Sequence, residues 1–399
     1  MNRYKLLLWC IGGLFSWASC SDADMPDSSS ESTEDMYKLE FSVWARSSKP
    51  NGELNEETLL KSLYVYAFDN THLHPDYFVD RVINEQEAYK VSMMISGTGE
   101  KRFYFFANPP RYIREVLTED CPEGTLKTLG IYMRKPIKKM SELPQSADGI
   151  SNPGNTGFPM ANQMVAYANL GDKERELYLS SEPEKAGGRI TNIPVFRSLG
   201  KISVTAWRKF ESQEILKVTG LYIFNYGCDG YFSPIWDMRE NGYWGKPSKG
   251  VAAWNPDLKM DLAEMVKKET QVGVDAVSVL EKETEILPQY SNKDNTLLLS
   301  SFYLCQNSYG KAMDGDTQEG VSDPLGNRTA RMVVYLSDGR ISEVELPYLK
   351  RNDHLNIRLA ITANTLQVEF QKWNQSDVLP DWDDGVHHPG TLDYPATNK

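Results

Sequence analysis

The chain has 399 residues, 40% of them hydrophobic and 11% aromatic, enough apolar material to pack sizeable cores. Its formal net charge is -12, and its lysines and arginines are scattered among acids. That excludes a nucleic-acid-binding surface, which needs clustered cations.

In chain order, Met1 to Lys5 is a short basic start, Leu6 to Trp17 an apolar run, and Ala18-Ser19-Cys20 a small-small-Cys ending. The pattern reads as an export signal over residues 1–19, after which Cys20 becomes a lipidated N-terminus. The alternative is a plain secreted chain in which the cysteine is incidental. Residues 20–36, rich in Ser, Glu and Asp, form an acidic tether. No later apolar run is long enough to cross a bilayer, so membrane contact is expected through the lipid alone.

Behind the tether, short apolar/polar alternations bounded by Gly, Pro, Asn and Asp predict strands. They are Lys38 to Ala45, Ser62 to Phe68, Arg102 to Ala107, Lys201 to Trp207, Val218 to Asn225, Thr296 to Cys305, Arg331 to Leu336, Asn356 to Thr362 and Leu366 to Trp373. β-Branched and aromatic residues fill them, as a half-buried pleated surface prefers. Helical signal is thin. Leu258, Leu262, Met265 and Val266 fit one face of a short helix, and residues 56–61 suit a turn. Lys138 to Thr156 and Trp236 to Trp254 carry Pro, Gly and Asn and read as surface loops. The expected fold is all-β, two tandem antiparallel β-sandwiches, with a linker near residues 182–190. The expected divisions are 37–187 for the first sandwich, 188–375 for the second and 376–399 for a tail.

Catalytic patterns are weak. No G-x-S-x-G elbow, H-E-x-x-H helix or Walker loop is present. His72 and His74 sit in a hairpin-like loop, and His387-His388 in a Pro- and Asp-rich tail; neither pair has the further ligands zinc requires. The run from Asp314 to Glu319 departs from a calcium loop at Gln318 and Glu319. Asp381, Asp383 and Asp384 would form a glycosidase pair only inside a cleft. No metal, cofactor or enzymatic activity is expected. Cys121, Cys228 and Cys305 read as buried small residues, with one bridge left open. Trp236, Tyr243, Trp244 and Trp254 share one loop-rich region that would suit stacking on sugars, which makes a surface glycan-binding lipoprotein the alternative.

Several segments together resemble the fimbrillin superfamily of Bacteroidales surface pili, the type V or donor-strand fimbriae. Leu59 to Asp69 resembles the first core strand of that family, and Phe103 to Asn108 its strand ending in Ala-Asn. Phe158-Pro159-Met160 resembles its Pro-Met step. Pro194 to Ala206 resembles the strand opening its second domain, with Gly200 where Ala is usual. Ser301 to Asn307 is similar to its Phe-Tyr-Leu-x-Glu-Asn stretch, departing at Gln306. Lys350 to Thr362, followed by Leu366 to Trp373, resembles its closing strands.

The resemblance implies transthyretin-like sandwiches in a fimbrial subunit that serves adhesion and biofilm formation. Such a subunit reaches the outer membrane as a lipoprotein precursor and passes to the cell surface. An Arg-specific protease removes its first strand, and another subunit lends a strand to the groove left behind. A covered edge keeps the precursor from pairing early. On this reading Leu39, Phe41 and Val43 line the removable strand, and Arg46, in a polar linker, precedes the cut. Val378, Leu379 and Trp382 form the candidate donor segment. Pro380, Pro389 and Pro395 interrupt that tail, because proline cannot donate to a ladder. The departure points to a minor or tip subunit rather than a repeating shaft subunit.

Overall fold

The protein is described by a computed structural model over residues 36–45, 59–69, 75, 77–86, 88–144, 157–180, 189–210, 215–236, 260–292, 294–313 and 318–372. Its first half contains β1 (Met36–Ala45), β2 (Leu60–Asp69), β3 (Tyr77–Gln86), β4 (Ala88–Ser96) and β5 (Gly99–Ala107). Two short helices, α1 (Arg111–Arg114) and α2 (Glu123–Thr128), follow. Then come β6 (Gly130–Tyr132), β7 (Met160–Leu170), β8 (Glu176–Ser180), β9 (Arg189–Ile190) and β10 (Asn192–Arg197).

One nine-stranded sheet orders these strands β3-β2-β5-β7-β10-β1-β8-β9, with β4 attached to β1. Strand β7 pairs with β5 along one edge and with both β10 and β8 along the other. The sheet thereby turns back on itself and encloses a core. Alternation decides which side chains fill that core. Leu39, Phe41, Val43 and Ala45 of β1 face Leu63, Val65 and Ala67 of β2, Phe103 and Phe105 of β5, and Val91, Met93 and Ile95 of β4.

The second half contains β11 (Leu199–Arg208), β12 (Lys217–Phe224), β13 (Tyr226–Gly227), β14 (Asp229–Tyr231), α3 (Leu262–Met265), β15 (Val272–Gly273), β16 (Val277–Ser278) and β17 (Thr284–Glu285). It closes with β18 (Leu297–Cys305), β19 (Arg331–Leu336), β20 (Ile341–Glu345), β21 (His354–Ile361) and β22 (Leu366–Lys372). A four-stranded sheet, β18-β11-β21-β22, and a five-stranded one, β16-β12-β19-β20 with β17 on β12, share one apolar core. Ile202, Val204, Ile357 and Leu359 enter it from the first sheet, and Val218, Leu221, Met332 and Val334 from the second. Most pairings are antiparallel, but β1 runs parallel to β8 and β10, and β11 parallel to β21.

A third apolar cluster lies between these two cores. The opposite faces of β2 and β5 are also buried, through Tyr64, Tyr66, Phe68, Tyr104 and Phe106. Residues of α1, α2 and the stretch after them cover that face, joined by Leu199, Phe232, Tyr303 and Cys305 from the second half. Phe106 stacks on Phe232 with ring centroids 5.5 Å apart, and Phe158 meets Tyr303 edge-on at 4.7 Å. The loop expectation for Lys138 to Thr156 is corrected in its first part. Met140 and Leu143 are buried in this middle cluster, and Met140–Glu142 forms a single 3-10 turn. The reason is local: two apolar side chains outweigh the turn-forming residues around them.

Gly200 has a steric explanation. A Cβ there would lie 2.6 Å from Leu349 Cγ and 2.8 Å from the Lys350 carbonyl oxygen, so β11 approaches that backbone only as glycine. The short helix expected around Leu262 is α3, with Leu262 and Met265 buried and Asp261 accepting from the Glu264 N–H at its start.

Candidate functional site

The site centres on β1. Its odd-numbered residues Leu39, Phe41 and Val43 are almost fully buried, and its even-numbered ones point outward. Phe41 meets Phe103 and Phe105 edge-on, at centroid distances of 6.1 and 5.9 Å. At roughly 1.5–3 kcal/mol for each fully buried large apolar side chain, these three residues contribute about 5–9 kcal/mol of burial.

Along one edge β1 forms a long antiparallel ladder with β4, from Met36↔Ser96 to Trp44↔Ala88. Along the other it lies parallel to β8 at Lys38 and Leu39, then parallel to β10 from Ser42 to Ala45. On the outer surface Glu40 bridges Lys38 at 2.9 Å and Lys90 of β4 at 3.0 Å. Hydrogen bonds from those two ammonium groups hold the Glu40 carboxyl down at about 2.

Asn108 fixes the neighbouring strands. Its Oδ1 accepts from the N–H groups of Lys61 (2.7 Å) and Ser62 (3.1 Å), and its Nδ2 donates to the carbonyls of Leu59 (2.8 Å) and Phe158 (3.0 Å). One side chain therefore ties the start of β2, the end of β5 and the approach to β7.

A second polar cluster is buried in the other half. The Glu269 carboxylate accepts from the Ser308 N–H (2.9 Å), the Ser308 hydroxyl (2.7 Å) and Gln306 Nε2 (2.9 Å). Burial raises its carboxyl to about 7 against those hydrogen bonds. Burial also lowers Arg351 to about 9; its Nη2 donates to the carbonyls of Tyr231 and Phe232, at 2.9 and 2.8 Å. Cys121, Cys228 and Cys305 are buried and free, and burial pushes the Cys228 thiol up to about 12. Such thiols are poor nucleophiles. His354 Nε2 lies 2.7 Å from Ser203 Oγ on a sheet face. Among the described residues no cluster of three or more His, Cys, Asp or Glu is placed to hold a metal ion, and no helix is long and apolar enough to cross a membrane.

Of the residues singled out from sequence, Leu39, Phe41 and Val43 come together in the first core. Trp236 packs edge-on against Phe196 at 5.4 Å and donates to Asn162 Oδ1 at 3.2 Å, so its ring serves packing. Cys20, Arg46, His72, His74, Tyr243, Trp244, Trp254, Val378, Leu379, Asp381, Trp382, Asp383, Asp384, His387, His388 and the run 314–317 lie outside the described residues. Strand β4 is absent from the sequence expectations. The alternation of Tyr89, Val91, Met93 and Ile95 is the signal that marks it.

No protein-family model matches the chain, and no curated protein does. Solved structures do. The tip fimbrial protein Mfa3 from Porphyromonas gingivalis, with a C-terminal truncation, is 12% identical, covers 84% of this chain and 99% of its own, and superposes with a TM-score of 0.48. A putative cell adhesion protein from Parabacteroides distasonis is 12% identical over 84% of this chain and 96% of its own, with a TM-score of 0.48. A fimbrilin (fimA) from Porphyromonas gingivalis is 11% identical, with coverages of 84% and 96% and a TM-score of 0.42. The structural neighbours are Bacteroidales fimbrial proteins.

Proposed function

We propose that the chain is a structural subunit of a surface fimbria in which β1 is a placeholder, replaced during assembly by a strand from another subunit. The observation that carries the reading is the position of β1. The first described strand lies inside a sheet, with β4 on one edge and β8 and β10 on the other, and presents Leu39, Phe41 and Val43 to the core. Removing it leaves a groove with unpaired backbone on both lips and three apolar pockets, which is what β-augmentation requires of an acceptor.

In this reading the precursor is exported as a lipoprotein through Cys20, cut after Arg46 by an Arg-specific protease, and freed of β1 together with the lipid. The donor segment includes Val378, Leu379 and Trp382. Its neighbouring prolines favour a minor or tip position, because they limit the ladder a donor completes. Adhesion and biofilm formation follow from that place on the surface.

The test uses the full chain. Incubation with an Arg-specific protease should give a new N-terminus at Ser47 and species of higher mass that survive mild detergent. Material sheared from cells that begins at Cys20 would refute the cut.

A further inference from the structure

Among the described residues β4 shares a backbone ladder with β1 alone, and on its other edge the Tyr77 hydroxyl of β3 donates to the Ser92 carbonyl at 3.3 Å, a contact that a shift of β4 would exchange. If β1 leaves, as the reading above requires, β4 becomes one lip of the groove, and β8 with β10 the other. The two lips fit each other. The Lys38 N–H donates to the Arg175 carbonyl at 2.8 Å and the Ser42 N–H to the Thr191 carbonyl at 2.7 Å. Even-numbered residues of β1 therefore turn their amides toward β8 and β10, and Leu39, Phe41 and Val43 turn theirs toward β4. Across the gap, Met93 and Tyr89 on one lip and Leu177 and Ile193 on the other direct N–H and C=O groups at the same space.

Direction and register agree as well. β4 is antiparallel to β1, and β8 and β10 are parallel to it, so β4 is antiparallel to both. Leu39 opposes Met93 on one side and Leu177 on the other; Val43 likewise opposes Tyr89 and Ile193. A shift of β4 by one strand spacing, about 4.8 Å, brings Met93 opposite Leu177 and Tyr89 opposite Ile193 as hydrogen-bonded pairs. No residue slips register and no side chain changes face: Met93, Leu177 and Ile193 already point into the core. The turn into β5 supplies a pivot, since Gly97 has φ +54° and Gly99 φ +114°, and neither meets another atom within 4 Å of a would-be Cβ. Lys101 Nζ, bonded to the Ser96 carbonyl at 2.7 Å, anchors that end.

We propose that β4 closes the emptied groove by pairing directly with β8 and β10, so that a processed subunit seals itself until a donor strand displaces β4. The open alternative leaves two rows of unpaired backbone beside apolar pockets, the arrangement most exposed to indiscriminate pairing. Closure makes donor entry a competition between strands.

The experiment uses the full chain with a site-specific protease sequence inserted after Arg46 and the substitutions Met94→Cys and Glu176→Cys. These positions both oppose Lys38 and face outward. With β1 between them their Cα atoms are two strand spacings apart, about 9–10 Å, beyond the roughly 7 Å reach of a disulfide. In the closed register they form a non-hydrogen-bonded pair about 4.5 Å apart. After cutting, a wash in sub-denaturing urea releases the strand, mass spectrometry records its loss, and glutathione disulfide serves as oxidant.

The expected result is a bond joining positions 94 and 176 in most released chains and in none of the uncut ones. A synthetic peptide of residues 36–45 should suppress it. The pair Lys90→Cys and Asn192→Cys, which both oppose Ser42, repeats the test at the other end. Loss of the strand with both thiols still free overturns closure. Retention of the cut strand until the whole chain unfolds overturns the removable-strand reading instead, and the retained fragment distinguishes the two failures.

Discussion

Replacing Asn108 asks how much of the strand framework around the groove depends on one side chain. The residue is 1% exposed, sits at φ 50° directly after β5, and makes four side-chain hydrogen bonds to backbone groups of two other segments, residues 59–62 and Phe158. At about 1 kcal/mol net for each bond, Asn108→Ala loses about 4 kcal/mol. The left-handed backbone, which alanine tolerates poorly, adds about 1 kcal/mol. Asn108→Gly loses the same bonds without that strain and should be about 1 kcal/mol more stable than the alanine variant. Asn108→Asp keeps both accepted bonds but turns an acceptor toward the carbonyls of Leu59 and Phe158. It should be weakened at neutral pH and partly restored in acid, where a protonated carboxyl donates to one of them. Urea unfolding followed by tryptophan fluorescence gives the comparison. An alanine variant within about 1 kcal/mol of the parent, or a glycine variant less stable than alanine, would refute the accounting.

Phe41→Ala removes a ring packed between Phe103 and Phe105 and should cost about 3–5 kcal/mol in urea unfolding, with amide protection falling first in β4. Gly200→Ala places a Cβ against Leu349 and the Lys350 carbonyl and should cost about 1–3 kcal/mol; an unchanged midpoint would show that β11 shifts freely. Glu269 links folding to pH. Its folded value of about 7 lies above the unfolded value near 4.5, so the folded chain binds the proton more tightly. Its contribution is full below 4.5 and is lost as pH rises to about 7, a change of about 3 kcal/mol. Glu269→Gln should flatten that window in a pH series of unfolding midpoints. Its new amide finds an acceptor if Gln306 rotates, because Gln306 Oε1 has no partner.

The strands that bury one face were legible because alternation is a direct record of burial: β1, β19 and β22 stand within two residues of where the pattern placed them. β2 was legible as a strand but not as one buried on both faces, since Tyr64, Tyr66 and Phe68 read equally well as solvent-facing aromatics. What covers them is a non-local choice by α1, α2 and residues of the second half. α1 and α2 are too short for a helical period to stand out, and Pro110 and Pro122, which precede them, read locally as turn residues. At the site, the apolar face of β1 was legible in Leu39, Phe41 and Val43. Its parallel neighbours were not, because nothing in a single strand records the direction of the next.

The middle cluster has a mechanical consequence. Phe106 on Phe232 and Phe158 on Tyr303 join the two cores by packed rings, so load placed on the first is passed to the second through solid contact, not through a single peptide joint. Filaments made of such units would take their bending from the seams between molecules, and each unit would behave as a stiff link.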